Sequence, residues 1–442
     1  MAYGELEICK RPWPDGVLRP ARGFSKDNRP DLKQLIYGLT VHGPTRIPLG
    51  FSVLDGNTAD PRANRFQIET LAQLLPPSHD VTLVADCKFV DATTLGAARA
   101  SGFHYVSLLP HTFNLRDELV EEVRVAGQPL LSMGTFPRRN KKAPDRLYSA
   151  TSFVRPFPVV VGDERCPIDH RFVVVRSSTQ EVEFDSTIDR RLDKAAVKLQ
   201  GALAKLATRD FACEADLHKE LARVISKAEY HTVKFAVAAV ELPRKRLRAG
   251  RPRKGDEAPS DTMWRLIEHQ LERNAPSIER ARFHAAHFVL VTDHVDPAAW
   301  SDQRIFLTYR GQESVEGHAG FRWLKGVAEV APVFLNLPHR VHALALVFML
   351  ALMVRNWMEA YVRASLAKSG KLLPNFLDKP IARPTAENIL YLFRAAIILA
   401  TVDDERRIIG RQVYNVDGYA LDVLEVFGLT ETLFTQPPRC HG

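Results

Sequence analysis

The order of strand-like and helix-like segments between residues 35 and 109 constrains the fold of this chain more than any other feature. Two apolar, β-rich runs, Leu35 to Val41 and Ile47 to Leu54, flank His42-Gly43-Pro44 and predict a β-hairpin. The segments that follow are a helix from Arg65 to Leu75, a strand from Val81 to Ala85, a helix from Ala92 to Ser101 and a strand from Tyr105 to Leu109. This alternation predicts an α/β fold with a mixed sheet.

Asp86 comes directly after the apolar strand Val81 to Ala85. A lone carboxylate is costly to bury, so it must be solvated, paired or bound to a metal ion. The order hairpin, helix, strand, helix, strand suits an RNase H-like mixed sheet, in which carboxylates at strand ends and on a later helix converge on metal. Alternatively, Asp86 ends the strand and caps the segment after it. The residues alone leave both interpretations open.

A second candidate acid lies in the stretch from Tyr309 to Lys325. Glu316 stands there among Tyr309, Arg322 and Lys325. One acid among bases and an aromatic ring suits a site that holds a divalent metal ion against a phosphodiester. The alternative is the start of an amphipathic helix with solvated charges, because charge pairs on helix faces are common.

The same stretch resembles the end of the catalytic core in DDE transposases of bacterial insertion sequences. Their YREK signature runs Tyr, two residues, Arg, three residues, Glu, six residues, Lys. Tyr309 and Glu316 keep this spacing, and Gln312 stands in the place of the Arg. Lys325 comes two residues later than the pattern, which rotates it by roughly 200° on a regular helix.

Strings nearer the start of the chain resemble the same family. They are Ser25 to Gln34, Gly38-Leu39-Thr40, Ile47-Pro48-Leu49-Gly50, Asp55-Gly56-Asn57-Thr58, Val84-Ala85-Asp86 and Val106 to Pro110. Asp86 then corresponds to the second acid of the DDE triad. The family's first acid lies in an Asp-Thr-Thr-Ser segment shortly before Tyr-Gly-Glu, whereas here Met1-Ala2 precedes Tyr3-Gly4-Glu5. The expectation is therefore that residues 1–442 lack that first acid and, expressed alone, neither cleave nor join DNA.

The resemblance implies an insertion-sequence transposase, an endonuclease that cleaves and joins DNA strands during transposition and recombination. It implies two Mg²⁺ or Mn²⁺ ions, with Asp86 and Glu316 as catalytic and metal-binding acids. Tyr309, Arg322 and Lys325 would bind backbone phosphates. The implied partners are transposon ends and target double-stranded DNA, with a dimer assembled on that DNA. A catalytically inactive remnant that only binds DNA is the alternative. The sequence contains no phosphate-binding loop, nucleophile elbow or dinucleotide fingerprint that would favour another enzyme class.

A dense basic segment runs from Pro243 to Gly255. Its cationic residues are Arg244, Lys245, Arg246, Arg248, Arg251, Arg253 and Lys254. The Gly-Arg-Pro core resembles an AT-hook, which lies along the DNA minor groove, and this favours DNA contacts by Arg248, Arg251, Arg253 and Lys254. The alternative is a solvated linker, which the acidic residues between 256 and 261 support.

Charge and composition narrow the class of protein. The 442 residues carry a net charge of +8, which weakly favours a polyanionic partner. Five scattered cysteines argue against a zinc site and a disulfide framework and indicate a reducing bacterial cytoplasm, where a DNA-binding protein associates with the nucleoid. The longest apolar run, Ala343 to Val354, is shorter than the roughly 20 residues of a membrane span, so it predicts a core helix and no membrane.

These patterns predict four regions. They are the first part of the RNase H-like core at 1–110, a large α+β insertion at 111–287 with the basic linker 243–255, a return to the core with the Glu316 helix at 288–330, and a helical C-terminal region at 331–442. In the last region, helices are predicted from Arg340 to Lys368 and from Thr385 to Thr401, with Thr385 as an N-cap. Asp293, His294 and Asp296 are interpreted as turn residues rather than metal ligands.

Overall fold

A computed structural model describes residues 18–24, 31–75, 80–137, 144–243, 260–312, 320–326, 335, 337–416 and 418–436. The side chains of Pro243, Ser260, Lys325 and Gly326 are not among the described parts. The chain divides into two compact units. The first unit comprises Met1–Ser107, Phe157–Ile168 and Leu307–Gly442, and the second comprises Leu108–Pro156 and Asp169–Phe306.

The described elements between residues 35 and 108 follow the order that the sequence predicts. The elements are β1 (Leu35–Val41), β2 (Pro48–Asp55), α1 (Asp60–Leu74), β3 (Thr82–Ala85), a 3₁₀ turn (Cys87–Phe89), α2 (Ala92–Ala100) and β4 (His104–Leu108). β1 and β2 pair antiparallel, so the predicted hairpin is confirmed. β3 and β4 pair in parallel, which the intervening helix α2 makes possible.

The middle of the chain is built from both helices and long strands. The elements are α3 (Asn114–Ala126), β5 (Leu131–Phe136), β6 (Arg146–Val161), β7 (Glu164–Ser177), α4 (Ser178–Ala207), α5 (Glu214–Ile225), β8 (His231–Pro243), β9 (Ser260–Arg273), α6 (Ala275–Ala285) and β10 (His287–Thr292). Phe172 to Val175 belong to β7 and are fully buried. A continuous run of buried β-branched and aromatic residues is typical of a central strand.

The strands form one six-stranded mixed sheet with the order β3-β4-β10-β7-β6-β5, together with separate two-stranded sheets. The α/β class with a mixed sheet is thereby confirmed. The hairpin of β1 and β2 is a sheet of its own among the described residues. The finer RNase H-like assignment, in which the hairpin shares the main sheet, stays a prediction.

The C-terminal part combines helices with short strands. Its elements are α7 (Asp302–Arg310), α8 (Phe321–Gly326), α9 (Pro338–Ser369), β11 (Leu373–Pro374), β12 (Pro380–Ile381), α10 (Ala386–Tyr391), β13 (Ile397–Val402), β14 (Ile408–Tyr414), α11 (Tyr419–Val426) and α12 (Thr432–Thr435). The Thr385 cap is confirmed, and it is part of a capping box with Asn388. The helix predicted up to Thr401 is wrong beyond Tyr391, because β-branched residues from Ile397 onward pair with β14.

Helix α9 is the main packing element of the first unit. Its Val341 and Ala345 join a buried cluster with Leu35 and Val53 of the hairpin. The side-chain amide of Asn356 donates a hydrogen bond of 2.7 Å to the backbone oxygen of Arg46 in the hairpin turn. α9 therefore holds the hairpin by apolar packing at one point and by a buried polar contact at another.

Among the described helices, α9 alone is long and apolar enough to cross a membrane, with a mean hydropathy of 1.6 in its most apolar window. A row of buried residues runs along it, however, and includes Arg355, Asn356 and Glu359. Glu359 forms ion pairs with Arg355 at 3.0 Å and with Arg363 at 2.6 Å, and it accepts a hydrogen bond of 3.0 Å from the backbone N–H of Ala386. Paired charges facing other parts of the same chain are typical of a packing helix in a soluble protein.

Candidate functional site

Asp86 lies at the carboxyl end of β3 and is exposed to solvent. Its backbone is extended, with φ −72° and ψ 177°, and its Oδ1 accepts a hydrogen bond of 3.0 Å from the N–H of Lys88. Asp86 is thus the N-cap of the 3₁₀ turn that follows, as the capping alternative predicts. Its Oδ2 has no hydrogen-bond partner among the described residues, so one carboxylate oxygen remains available to a ligand.

The backbone around Asp86 is fixed by Ser107 of the neighbouring parallel strand. The hydroxyl of Ser107 is buried and lies 2.8 Å from the backbone oxygen of Asp86 and 3.2 Å from that of Ala85. Ala85 and Ser107 are also direct partners in the β3–β4 register. The carboxylate of Asp86 therefore projects from a rigid strand end rather than from a free loop.

Helix α1 connects this strand end to the hairpin. On one side, Gln67 donates a hydrogen bond of 2.8 Å to the hydroxyl of Ser52 in β2. Toward Asp86, Asn64 donates to the backbone oxygen of Lys88 at 3.2 Å, and Arg65 donates to the hydroxyl of Thr93 at 2.8 Å. α1 therefore contacts both the hairpin and the segment that carries Asp86.

Asp91, which sequence reasoning did not select, is the second acid beside this strand end. Its Oδ1 accepts hydrogen bonds from the N–H groups of Thr93 and Thr94 at 3.1 and 3.0 Å and caps α2. Burial opposes ionisation of Asp91, but these hydrogen bonds outweigh it and hold the pKa below its ordinary value. The buried Oδ2 has no partner among the described residues. An acid followed by Ala-Thr-Thr is an N-cap signal that could have identified this role.

Of the predicted phosphate-binding residues, Tyr309 lies in the last turn of α7 and is half-buried. The helix begins at Asp302, whose carboxylate pairs with the buried guanidinium of Arg171 within the second unit. The N–H of Gln312 donates to the backbone oxygen of Tyr309 at 3.1 Å and ends the helix in a turn. Gln312, which stands in the sequence where the signature has Arg, therefore lies just after the helix.

Arg322 lies on the short helix α8 and is exposed. The neighbouring Leu324 is buried and packs with Leu352 of α9, and Phe321 meets the ring of Tyr37 edge-on at 6.3 Å. The apolar residues of α8 therefore anchor it, and this leaves Arg322 directed to solvent. An exposed guanidinium on an anchored helix can contact a phosphate without losing another partner.

Asp86, Tyr309 and Arg322 belong to the same compact unit. Glu316 lies outside the described residues, as do Arg248, Arg251, Arg253 and Lys254, and the side chain of Lys325 is not described. The metal-binding pair Asp86 and Glu316 therefore stays a prediction. Of the three residues that the sequence analysis interprets as a turn, Asp296 accepts a hydrogen bond of 2.9 Å from the N–H of Ala298, and His294 stacks on Trp300 at 3.8 Å.

A second candidate surface is the long ribbon of β8 and β9, whose inner ends flank the basic segment. The strands pair from His231↔Arg273 to Pro243↔Ser260, with a bulge at Ala236/Val237. Because Pro243 and Ser260 are register partners, residues 244–259 connect two adjacent strand ends. The basic segment itself lies outside the described residues.

The base of this ribbon is firmly held in the second unit. Leu266 of β9 is buried in a cluster formed with α4 and α5, whose other members are Leu199, Leu203, Leu206, Phe211, Leu217 and Leu221. Phe211 and Trp264 exchange backbone hydrogen bonds of 3.0 and 2.7 Å. Trp264 pairs with Ala239, and the strand register continues beyond these hydrogen bonds to Pro243. The ribbon therefore extends beyond its packed base by about 14 Å, at roughly 3.4 Å a residue.

Comparison with known proteins gives no relative: the chain matches no protein-family model, no curated protein and no solved structure.

Proposed function

We propose that this chain belongs to a DNA-strand-transfer enzyme of the insertion-sequence transposase type, which acts on double-stranded DNA in the bacterial cytoplasm. The observation that carries the proposal is Asp86, an exposed carboxylate at the rigid carboxyl end of a parallel strand. The strings that resemble DDE transposases supply the reaction class, and the basic segment between β8 and β9 in the sequence would bind DNA.

The donors at Asp86 suit a divalent cation. Carboxylate oxygens are the ligands that Mg²⁺ and Mn²⁺ prefer, and Oδ2 of Asp86 is not engaged by another described group. Asp86 and Glu316 would hold the two ions of the complete enzyme. When bound, such ions activate an attacking oxygen and stabilise the leaving oxygen of a phosphodiester.

The chain's own groups would position the acid and the DNA. The hydrogen bond from Lys88 N–H fixes the orientation of the Asp86 carboxylate, and the Ser107 hydroxyl holds its peptide group. Preorganised ligands need little rearrangement at the moment of reaction. Arg322, exposed on α8, would bind a backbone phosphate, together with Tyr309 and Lys325.

A DNA-binding remnant without catalysis is the second candidate. The observation that favours it is that Oδ1 of Asp86 already caps the 3₁₀ turn, a role that needs no metal. The ribbon and its basic segment would bind DNA in either case, since phosphate contacts do not depend on the catalytic acids.

One experiment separates the two candidates. The protein made from its complete genomic reading frame is incubated with supercoiled plasmid and Mg²⁺ or Mn²⁺, beside Asp86→Ala and Glu316→Ala variants. The transposase proposal expects nicking by the unchanged protein and none by either variant, with DNA affinity within about twofold because phosphate contacts are retained. Binding without nicking by the unchanged protein would establish the remnant. Nicking by Asp86→Ala at the normal rate would remove Asp86 from the site.

A further inference from the structure

Helix α9 carries an ion-pair network whose charges balance one another. Arg355 pairs with Glu387 at 3.0 Å, and Arg363 pairs with Glu359 at 2.6 Å. Glu359 also lies 3.0 Å from Arg355. The network therefore contains two guanidinium groups and two carboxylates and is neutral as a whole. Any further arginine beside it adds positive charge that no acid of the network compensates.

Two further arginines, Arg46 and Arg383, come to this network from other parts of the first unit. Burial is the largest cause that lowers the pKa of Arg363; the Glu359 charge opposes it, and the charges of Arg383 and Arg46 lower the pKa further. Within the described part of the chain, neither Arg46 nor Arg383 forms an ion pair or a side-chain hydrogen bond. The hairpin turn and the segment before α10 therefore bring an excess of two positive charges to the network.

The backbone of Arg46 is held in an unusual conformation. Its φ of 62° lies in the left-handed region, which residues other than glycine seldom adopt. Its N–H donates a hydrogen bond of 2.7 Å to the backbone oxygen of His42, and its own backbone oxygen accepts one of 2.7 Å from Asn356 of α9, a residue that is 1% exposed. Strained backbone that the surrounding structure holds in place is common at ligand sites. Here it ties the start of the Arg46 side chain to one point on α9.

Arg383 starts from a second fixed point on the same helix. The Nε of Arg363 donates a hydrogen bond of 2.9 Å to the backbone oxygen of Pro384, the buried residue that follows Arg383. Asn356 and Arg363 are about two helical turns apart on one face of α9, roughly 10 Å along its axis. The side chains of Arg46 and Arg383 therefore start beside the two ends of this short stretch. Two arginine side chains at that separation can contact one oxyanion from opposite sides.

We propose that Arg46, Arg363 and Arg383 form a phosphate-binding site for the backbone of double-stranded DNA. A guanidinium presents its N–H donors in a planar fork that fits phosphate oxygens. Arg46 and Arg383 have their donors available, whereas Arg363 is held by Glu359 and Pro384 and contributes mainly its charge. A phosphate supplies the negative charge that this part of the chain lacks. The inference rests on the proposed function, because that function makes DNA the partner that carries the phosphate.

The test is fluorescence anisotropy of a labelled DNA duplex with the full chain, without metal ions, between roughly 50 and 200 mM salt. The variant combines Arg46→Gln with Arg383→Gln. Losing two phosphate contacts should flatten the slope of log affinity against log salt by about 2, so the unchanged chain should lose roughly tenfold more affinity than the variant across this range. The matched control combines Arg340→Gln with Arg394→Gln, which removes two charges at exposed positions of the same unit and should keep the original slope.

The outcomes separate this site from the proposed function. A slope for the double variant equal to that of the control would overturn the site, while the proposed function would still depend on its own nicking experiment, since no metal ion is present here. A duplex that does not bind to the unchanged chain would overturn both. A flattened slope in the double variant alone would support the site.

Urea unfolding without DNA guards against misfolding and tests for a free anion. The double variant should keep the urea midpoint of the unchanged chain, because neither side chain loses an ionic partner among the described residues. If the double variant did not fold, Arg383→Gln alone, at an exposed position, should flatten the salt slope by about 1, and an unchanged slope would overturn the site. Inorganic phosphate, compared with chloride at equal ionic strength, might act in place of DNA: a midpoint that it raises in the unchanged chain but not in the double variant, with equal DNA slopes, would assign the site to free phosphate and overturn its role in DNA binding.

Discussion

Removing the carboxylate of Glu359 should destabilise the first unit far more than removing an exposed carboxylate with the same ion-pair geometry. Glu359 is 3% exposed, forms ion pairs with Arg355 and Arg363, and accepts a hydrogen bond from the N–H of Ala386. Removing one partner of a buried pair costs about 3–5 kcal/mol. Folded domains are stable by roughly 5–15 kcal/mol, so Glu359→Ala should remove a large part of the unit's stability.

The remaining partners place the cost toward the lower end of that range. Without Glu359, Arg355 keeps its 3.0 Å pair with Glu387, and Arg363 keeps a hydrogen bond of 2.9 Å to the backbone oxygen of Pro384. Burial already lowers the pKa of Arg363, and the Glu359 charge opposes that shift. Glu359→Gln retains an acceptor for the Ala386 N–H and should cost less, about 1–3 kcal/mol.

The assay is urea unfolding followed by circular dichroism, with hydrogen exchange of α10 as a local readout because Glu359 binds its first N–H. The control is Asp422→Asn, which breaks an exposed pair with Lys371 at 2.9 Å, close to the 3.0 Å of the buried pair. The control should leave the urea midpoint unchanged. If Glu359→Ala shifted the midpoint no more than Asp422→Asn, burial would not be what makes this network important.

Three further changes test other parts of the structure. Gly96→Ala should destabilise the folded chain by about 1–3 kcal/mol, because an added Cβ would lie 1.7 Å from the backbone oxygen of Val160. Gly201→Ala has open space around it and should stabilise the folded chain by about 1 kcal/mol, and urea midpoints measure both changes. Changing Arg251 and Arg253 together to Ala should flatten the slope of log affinity against log salt by about 2, and an unchanged slope would make the basic segment a linker. Burial lowers the pKa of His287 below its ordinary value of 6.5, so the unfolded chain takes up a proton first and the stability of the folded chain should fall as pH drops below about 6.5. His287→Phe should lose this dependence in urea titrations from pH 8 to 5, and an unchanged profile would assign the dependence to another group.

The sequence predicts the segments with clear periodicity and misses those whose partners are distant. The hairpin of β1 and β2 is found because two alternating apolar runs flank a turn in the chain itself. The separation of that hairpin from the six-stranded sheet is a property of long-range pairing, which local patterns do not contain. The same holds for Gly96, whose close approach to Val160 depends on how α2 packs.

The candidate site shows the same difference between what local patterns predict and what only the structure shows. A strand followed by an acid identifies Asp86 as a position to examine, and the structure places it exposed at the strand end. Its second role as the cap of a 3₁₀ turn was open at the sequence level, because one residue can suit either interpretation. Asp91 was not predicted, although its N-cap pattern is local and needs no distant partner.

The run from Ile397 to Val402 contains the main error in the predicted fold. A short apolar run cannot be assigned to helix or strand by periodicity alone, and the helix predicted from Thr385 extended through it. Its β-branched residues favour a strand, and the structure pairs it with β14. A strand so apolar on both faces is usually covered, yet every residue of β13 is exposed. The run is therefore a strand through its pairing with β14, and no pattern within the run itself contains that pairing.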